Sequence, residues 1–129
     1  MFKFKPFKSH AGKPLSWKIE CDALSQEDID CLADLICMTH SYRDVEHPPT
    51  KSANLINLVS KLSLHKTLDG DYDYLIVDDV FTTGKTMNEI YEHLHTKHDK
   101  KTKGVVIFAR SECPHWITPI FQLNKIFNF

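Results

Sequence analysis

The sequence predicts an α/β fold, a parallel β-sheet flanked by helices, in a chain of 129 residues that reads as one domain. Three observations carry this expectation. Short runs of strand character at residues 42–46, 74–77 and 105–109 alternate with segments whose apolar residues recur at helical spacing. The run 74–77 (Tyr-Leu-Ile-Val) holds no charged residue, as a central parallel strand covered on both faces requires. Serines stand just ahead of the first two helical segments, where a side-chain oxygen can cap free N–H groups.

The elements follow in order. Residues 1–14 alternate Phe2, Phe4 and Phe7 with Lys3, Lys5 and Lys8, a period of two that fits an edge strand or an N-terminal arm. Its phenylalanines are expected to pack on the domain or a partner, since so few lysines do not make a nucleic-acid arm. Residues 15–21 suit a short strand. Ser25 opens a helix, with Asp28 completing a capping box, and Ile29, Leu32, Ala33 and Ile36 share one face up to about Thr39. The strand 42–46 is stopped by Pro48 and Pro49. Ser52 caps a second helix, with Leu55, Ile56, Val59 and Leu62 expected to face inward. A turn at 68–73, containing Asp69-Gly70, leads into the strand 74–77. A third helix is expected over about 86–97, with Met87, Ile90, Tyr91 and Leu94 inward. The basic turn 97–103 precedes the strand 105–109. Beyond it lie the loop Cys113-Pro114-His115-Trp116 and an apolar tail, 117–129, that can supply a last strand. Crossovers between the parallel strands are expected to be right-handed.

Composition excludes several classes. A hydrophobic fraction of 42% and a charged fraction of 26% suit a globular core. The formal net charge of −1 offers no general attraction to nucleic acid or to an anionic membrane, and neither is expected as a partner. No apolar run is long enough to cross a bilayer, and no continuous apolar segment follows the N-terminal lysines, so the default location is cytoplasmic. Cys21, Cys31, Cys37 and Cys113 lack any CxxC spacing and read as reduced thiols rather than zinc ligands. His93 and His95, two apart on a helix, point to different faces and read as surface residues. The apolar termini leave a homodimer open.

Chemistry is concentrated in residues 74–87. An apolar strand delivers Asp78 and Asp79 to the carboxyl edge of the sheet, where open α/β folds bind ligands. Ionised carboxylates only accept hydrogen bonds, which matches the paired donors of a sugar diol. Thr82, Thr83, Gly84, Lys85 and Thr86 then supply hydroxyls, a flexible turn and backbone N–H groups suited to a phosphate. A solvated acidic turn with Thr82 or Thr83 as an ordinary N-cap accounts for parts of this string but not for all of it. A P-loop is excluded, because the glycine it needs five positions before Gly84 is Asp79.

The same block resembles the phosphoribosyl pyrophosphate motif of type I phosphoribosyltransferases. That pattern is an apolar strand, two acidic residues, two apolar residues, Thr-Thr-Gly, any residue, then Ser or Thr, and every position is filled here. The resemblance implies that Asp78 and Asp79 hold the ribose hydroxyls at the catalytic centre and that Thr82 to Thr86 wrap the 5-phosphate. It implies transfer of ribose 5-phosphate from phosphoribosyl pyrophosphate to a nitrogenous base. Mg2+ would bridge diphosphate and ribose oxygens, with Asp78 and Asp79 as indirect metal contacts. The family's diphosphate loop corresponds to residues 46–53, where Thr50 and Ser52 can donate hydrogen bonds and Lys51 can act as a point charge. Trp116, or the N-terminal arm, is the candidate to stack on the base. Two departures stand out. The 46–53 loop contains no glycine, and the stretch 65–73 is too short for the further strand and mobile lid of the family. They bring in an alternative, a non-catalytic regulatory protein that binds phosphoribosyl pyrophosphate or a nucleotide.

Overall fold

The computed structural model describes residues 4–8, 14–19 and 24–123, with side chains described over the last span. Phe2, Cys21, the side chains of Phe4 and Phe7 and the tail 124–129 lie outside the described residues. The N-terminal alternation forms β1 (Phe4–Lys8), which pairs antiparallel with β2 (Pro14–Ile19). Helix α1 (Gln26–Thr39) follows, then β3 (Tyr42–Glu46) and α2 (Ala53–Ser63). Next come β4 (Tyr72–Phe81), α3 (Lys85–Tyr91), β5 (Thr102–Ala109) and β6 (Ile117–Gln122). After Tyr91, α3 runs on into a π-helical stretch, Glu92–Lys97.

Local chemistry explains the helix starts. Ser25 Oγ accepts the Asp28 N–H at 3.1 Å while the Asp28 carboxylate accepts the Ser25 N–H at 3.0 Å, a complete capping box. Ser52 Oγ accepts the Leu55 N–H at 3.2 Å. The inward stripe of α2 is Leu55, Leu58, Val59 and Leu62, whereas Ile56 is 47% exposed. Ile56 was expected inside. Both choices satisfy helical spacing, and the angle at which α2 meets α1 and the sheet decides between them.

β3, β4, β5 and β6 form one four-stranded sheet in that order, every pair parallel. Leu75, Ile76, Val77 and the run from Val105 to Ala109 are at most 1% exposed, as strands covered on both faces must be. On one face Leu75, Val77, Val105 and Ile107 pack with α1 and α2. On the other, Ile76 and Val106 pack with Met87 of α3, Trp116 and Ile117. Tyr42 anchors the first layer: its hydroxyl donates to the Leu62 carbonyl at 2.6 Å, and burial beside the Cys37 thiol pushes its pKa well above the usual phenol range.

The two faces correct the expectation about handedness. The chain steps from β3 to β4 through α2 and from β4 to β5 through α3, in the same direction across the sheet. Two right-handed crossovers stepping one way place their helices on one face, yet α2 and α3 lie on opposite faces. One of the two is therefore left-handed. The segment after α2 passes the start of β3 on its way to β4, with Thr67 N–H donating to Tyr42 O at 3.0 Å and Tyr72 N–H to Ser41 O at 3.1 Å. Where one more strand would let the step reverse direction, the chain goes straight to β4.

β5 and β6 are parallel, but residues 110–116 join them without the helix such a step usually needs. Trp116 fills that place. Its ring stacks on Tyr91 with centroids 4.1 Å apart, and a Cβ added at Gly104 would sit 2.7 Å from Trp116 Cζ3. Gly104 is thus fixed by close approach. Gly104→Ala is expected to destabilise the fold by about 1–3 kcal/mol in urea titrations. Combining it with Trp116→Leu should cost less than the sum of the two single changes, because the smaller side chain vacates the contested space.

Candidate functional site

Unequal strand lengths create the site. β3 pairs with β4 only as far as Glu46 opposite Ile76, whereas the β4–β5 ladder continues through Asp78 opposite Val106 to Phe81 opposite Ala109. From Val77 onward the β3 side of β4 has no strand neighbour among the described residues. The sequence placed Asp78 and Asp79 just beyond the strand. They are part of it, held rigidly at its open end.

The carboxylates are oriented by backbone. Asp78 Oδ1 accepts the Asp79 N–H at 2.8 Å, and Asp79 Oδ1 accepts the Val80 N–H at 2.8 Å. Burial pushes the Asp78 pKa up to about 7, helped by a hydrogen bond to the Asp79 carboxyl and by repulsion from its charge, against the lowering effect of the Asp79 N–H. Near neutral pH Asp78 therefore keeps its proton in part of the molecules.

Beyond Phe81 the chain turns through Thr82, Thr83 and Gly84 into α3. Gly84 sits at φ 74°, ψ 12°, a left-handed conformation, and a Cβ there would run into the Phe81 ring. No side chain caps α3. The N–H groups of Thr83 and Gly84 have no partner among the described residues, and the Lys85 N–H makes only a long 3.4 Å contact to Thr83 Oγ1. Here lies a small polar cavity of about 90 Å³, lined by Asp78 and by the run from Val80 to Met87. Exposed Lys85 adds a positive charge. Free amides, hydroxyls and a cation around a turn suit a phosphate group, and Asp78 offers acceptors to hydroxyls carried by the same molecule.

The fold brings together Asp78, Thr82, Thr83, Gly84, Lys85 and Thr86, with Asp79 beside them. Thr50, Lys51 and Ser52 follow β3 at the same sheet edge but do not line the cavity. Thr50 Oγ1 accepts the Ser52 N–H at 3.0 Å and Ser52 Oγ caps α2, while Lys51 is exposed. Trp116 does not join the site. It is 7% exposed and packed between Gly104 and Tyr91, so its ring is spent on the core rather than offered to a base. Among the described residues, no group of three His, Cys, Asp or Glu is placed to hold a metal ion, and no helix is long and apolar enough to cross a membrane.

Two neighbours escaped the sequence reading. The Arg110 N–H donates to Phe81 O at 2.9 Å, and Ser111 Oγ donates to Thr82 O at 2.5 Å. Gln122 Nε2 in turn donates to Ser111 O at 2.8 Å. Their signal was positional: they directly follow the strand that pairs with the motif strand.

No protein-family model matches the chain, and no curated protein matches it by sequence. Solved structures do. The crystal structure of orotate phosphoribosyltransferase from Aeropyrum pernix superposes with a TM-score of 0.63 at 18% identity, covering 95% of this chain and 88% of that one. Orotate phosphoribosyltransferase from Francisella tularensis gives a TM-score of 0.59 at 19% identity, covering 98% and 83%. With the parallel sheet and the placement of residues 74–87, these likenesses identify the fold as that of the type I phosphoribosyltransferases, in a divergent form.

Proposed function

We propose that this chain binds phosphoribosyl pyrophosphate and transfers its ribose 5-phosphate to the nitrogen of a base. One observation carries the reading: the acidic pair ending β4 and the phosphate-suited turn Thr82–Thr86 flank one polar cavity, in a fold shared with phosphoribosyltransferases. In the reaction, the bond from the anomeric carbon to the diphosphate breaks, the diphosphate leaves with the electron pair, and a base nitrogen bonds to that carbon. Asp78 and Asp79 accept hydrogen bonds from the ribose hydroxyls and stabilise positive charge developing on the ring. The turn and Lys85 hold the 5-phosphate, so binding energy remote from the anomeric carbon positions it. Exposed Lys51 stands at the same sheet edge to meet the diphosphate, with Thr50 and Ser52 shaping its loop.

Two adjacent carboxylates suit Mg2+, which binds through one or two carboxylates and substrate oxygens rather than in an all-protein cage. The ion would offset the negative charge that the diphosphate brings toward Asp78 and Asp79.

The glycine-free 46–53 loop and the short 64–71 connection favour a second reading, a regulatory protein that binds the same ligand without turning it over. Calorimetry with phosphoribosyl pyrophosphate and Mg2+, followed by a diphosphate-release assay with a panel of bases, tests both. Release identifies the transferase, whereas binding without release identifies the sensor. Absence of binding removes both.

Asp78→Asn with Asp79→Asn is expected to lower affinity at least about tenfold. Stability should be kept or should rise by about 1 kcal/mol, since the change removes carboxylate repulsion. For wild type, the folded state holds the Asp78 proton more tightly than the unfolded chain does. Its contribution to stability is therefore full below about pH 4, falls as pH rises toward 7, and levels off above. Melting temperatures between pH 5 and 8 should show this decline, and Asp78→Asn should flatten it. Gly84→Ala should weaken both ligand binding and stability, the latter by about 1–2 kcal/mol, read by calorimetry and urea titration.

A further inference from the structure

We propose that Ser111 is a positioning residue of the phosphate site, acting through the Thr82 carbonyl. The inference rests on the ligand reading given above. A trans peptide is planar, so the carbonyl of one residue and the N–H of the next point in opposite directions. The Thr82 carbonyl is held by Ser111 Oγ at 2.5 Å, on the side where the loop after β5 runs. The N–H of Thr83, in the same peptide plane, is thereby turned away from that loop, and it has no partner among the described residues. With Thr82, Thr83 and Gly84 all lining the cavity, the lock presents a donor rather than an acceptor to the phosphate. A flipped peptide would put a carbonyl oxygen beside the anion instead, and the Ser111 hydroxyl opposes that flip by holding the Thr82 carbonyl.

Ser111 is itself tied down. Gln122 Nε2 on β6 donates to the Ser111 carbonyl at 2.8 Å, and the preceding Arg110 N–H donates to Phe81 O at 2.9 Å. The turn is therefore supported from two neighbouring strands, β5 and β6, neither of which supplies a residue lining its cavity. Ser111 lies outside that lining, so its hydroxyl serves to orient and not to touch the ligand.

The test is ribose 5-phosphate binding by calorimetry to wild type, Ser111→Ala and Ser111→Thr, with the Thr83 amide followed by NMR during titration. Wild type should bind and its Thr83 amide should shift. Ser111→Ala should bind about tenfold more weakly, with the Thr83 shift lost and the melting temperature little changed. Ser111→Thr, which keeps the hydroxyl, should restore both. If the alanine variant melts early, Ser111→Cys, close in volume but a weak donor, replaces it and should behave as alanine does. Equal binding by wild type and the variant, or a Thr83 shift that survives in it, overturns the role of Ser111 and leaves the site intact. Failure of wild type to bind ribose 5-phosphate overturns the site reading and this inference together.

Discussion

The parallel ladder between β4 and β5 is the constraint on which the rest of this molecule depends. Pairing from Tyr74 opposite Thr102 to Phe81 opposite Ala109 makes it the longest register in the sheet. Its residues bury both faces at once, Leu75, Val77, Val105 and Ile107 toward α1 and α2, Ile76 and Val106 toward α3. The same ladder carries β4 past the end of β3, so that two carboxylates emerge on a rigid strand rather than on a loop. A binding site built on regular structure loses little to reorganisation when a ligand arrives.

That rigidity holds charge where the fold alone would not favour it. Asp78 is driven toward its neutral form by burial and by its neighbour Asp79, against the single backbone N–H that its carboxylate accepts. Tension of this kind is common where stability has been given up for binding, because the ligand or its counter-ion supplies the missing donors and positive charge. The turn beyond shows the complementary imbalance, with Thr83 and Gly84 N–H groups that have no partner among the described residues and an exposed Lys85 beside them. Under the function proposed above, a phosphorylated sugar would answer both, hydroxyls toward the acids and phosphate toward the amides.

Around this centre the chain is economical in its connections. α2 steps directly from β3 to β4, which forces one crossover into the uncommon hand, and residues 110–116 return from β5 to β6 with no helix. The stack of Trp116 on Tyr91, over the bare backbone at Gly104, covers the sheet where a crossover helix would lie. The short return also brings Ser111 against Thr82. Packing and site support thus come from one segment.

The sequence by itself determined what depends on near neighbours along the chain. Ser25 with Asp28 and Ser52 fix helix starts because capping acts over three residues, strand character survives in uninterrupted apolar runs, and residues 78–86 carry their chemistry in order. Tertiary structure decided what depends on partners distant in sequence. Helical spacing admits Ile56 or Leu58 on the buried face, and only the docking of α2 selects Leu58. Trp116 was free to meet a ligand or the core, and contact with Gly104 and Tyr91, both remote in sequence, assigns it to the core. The opposite faces taken by α2 and α3, the open side of β4 beyond Ile76 and the meeting of Ser111 with Thr82 all arise from strand order and register. No local pattern encodes these, because pairing energy is realised only when distant strands come together.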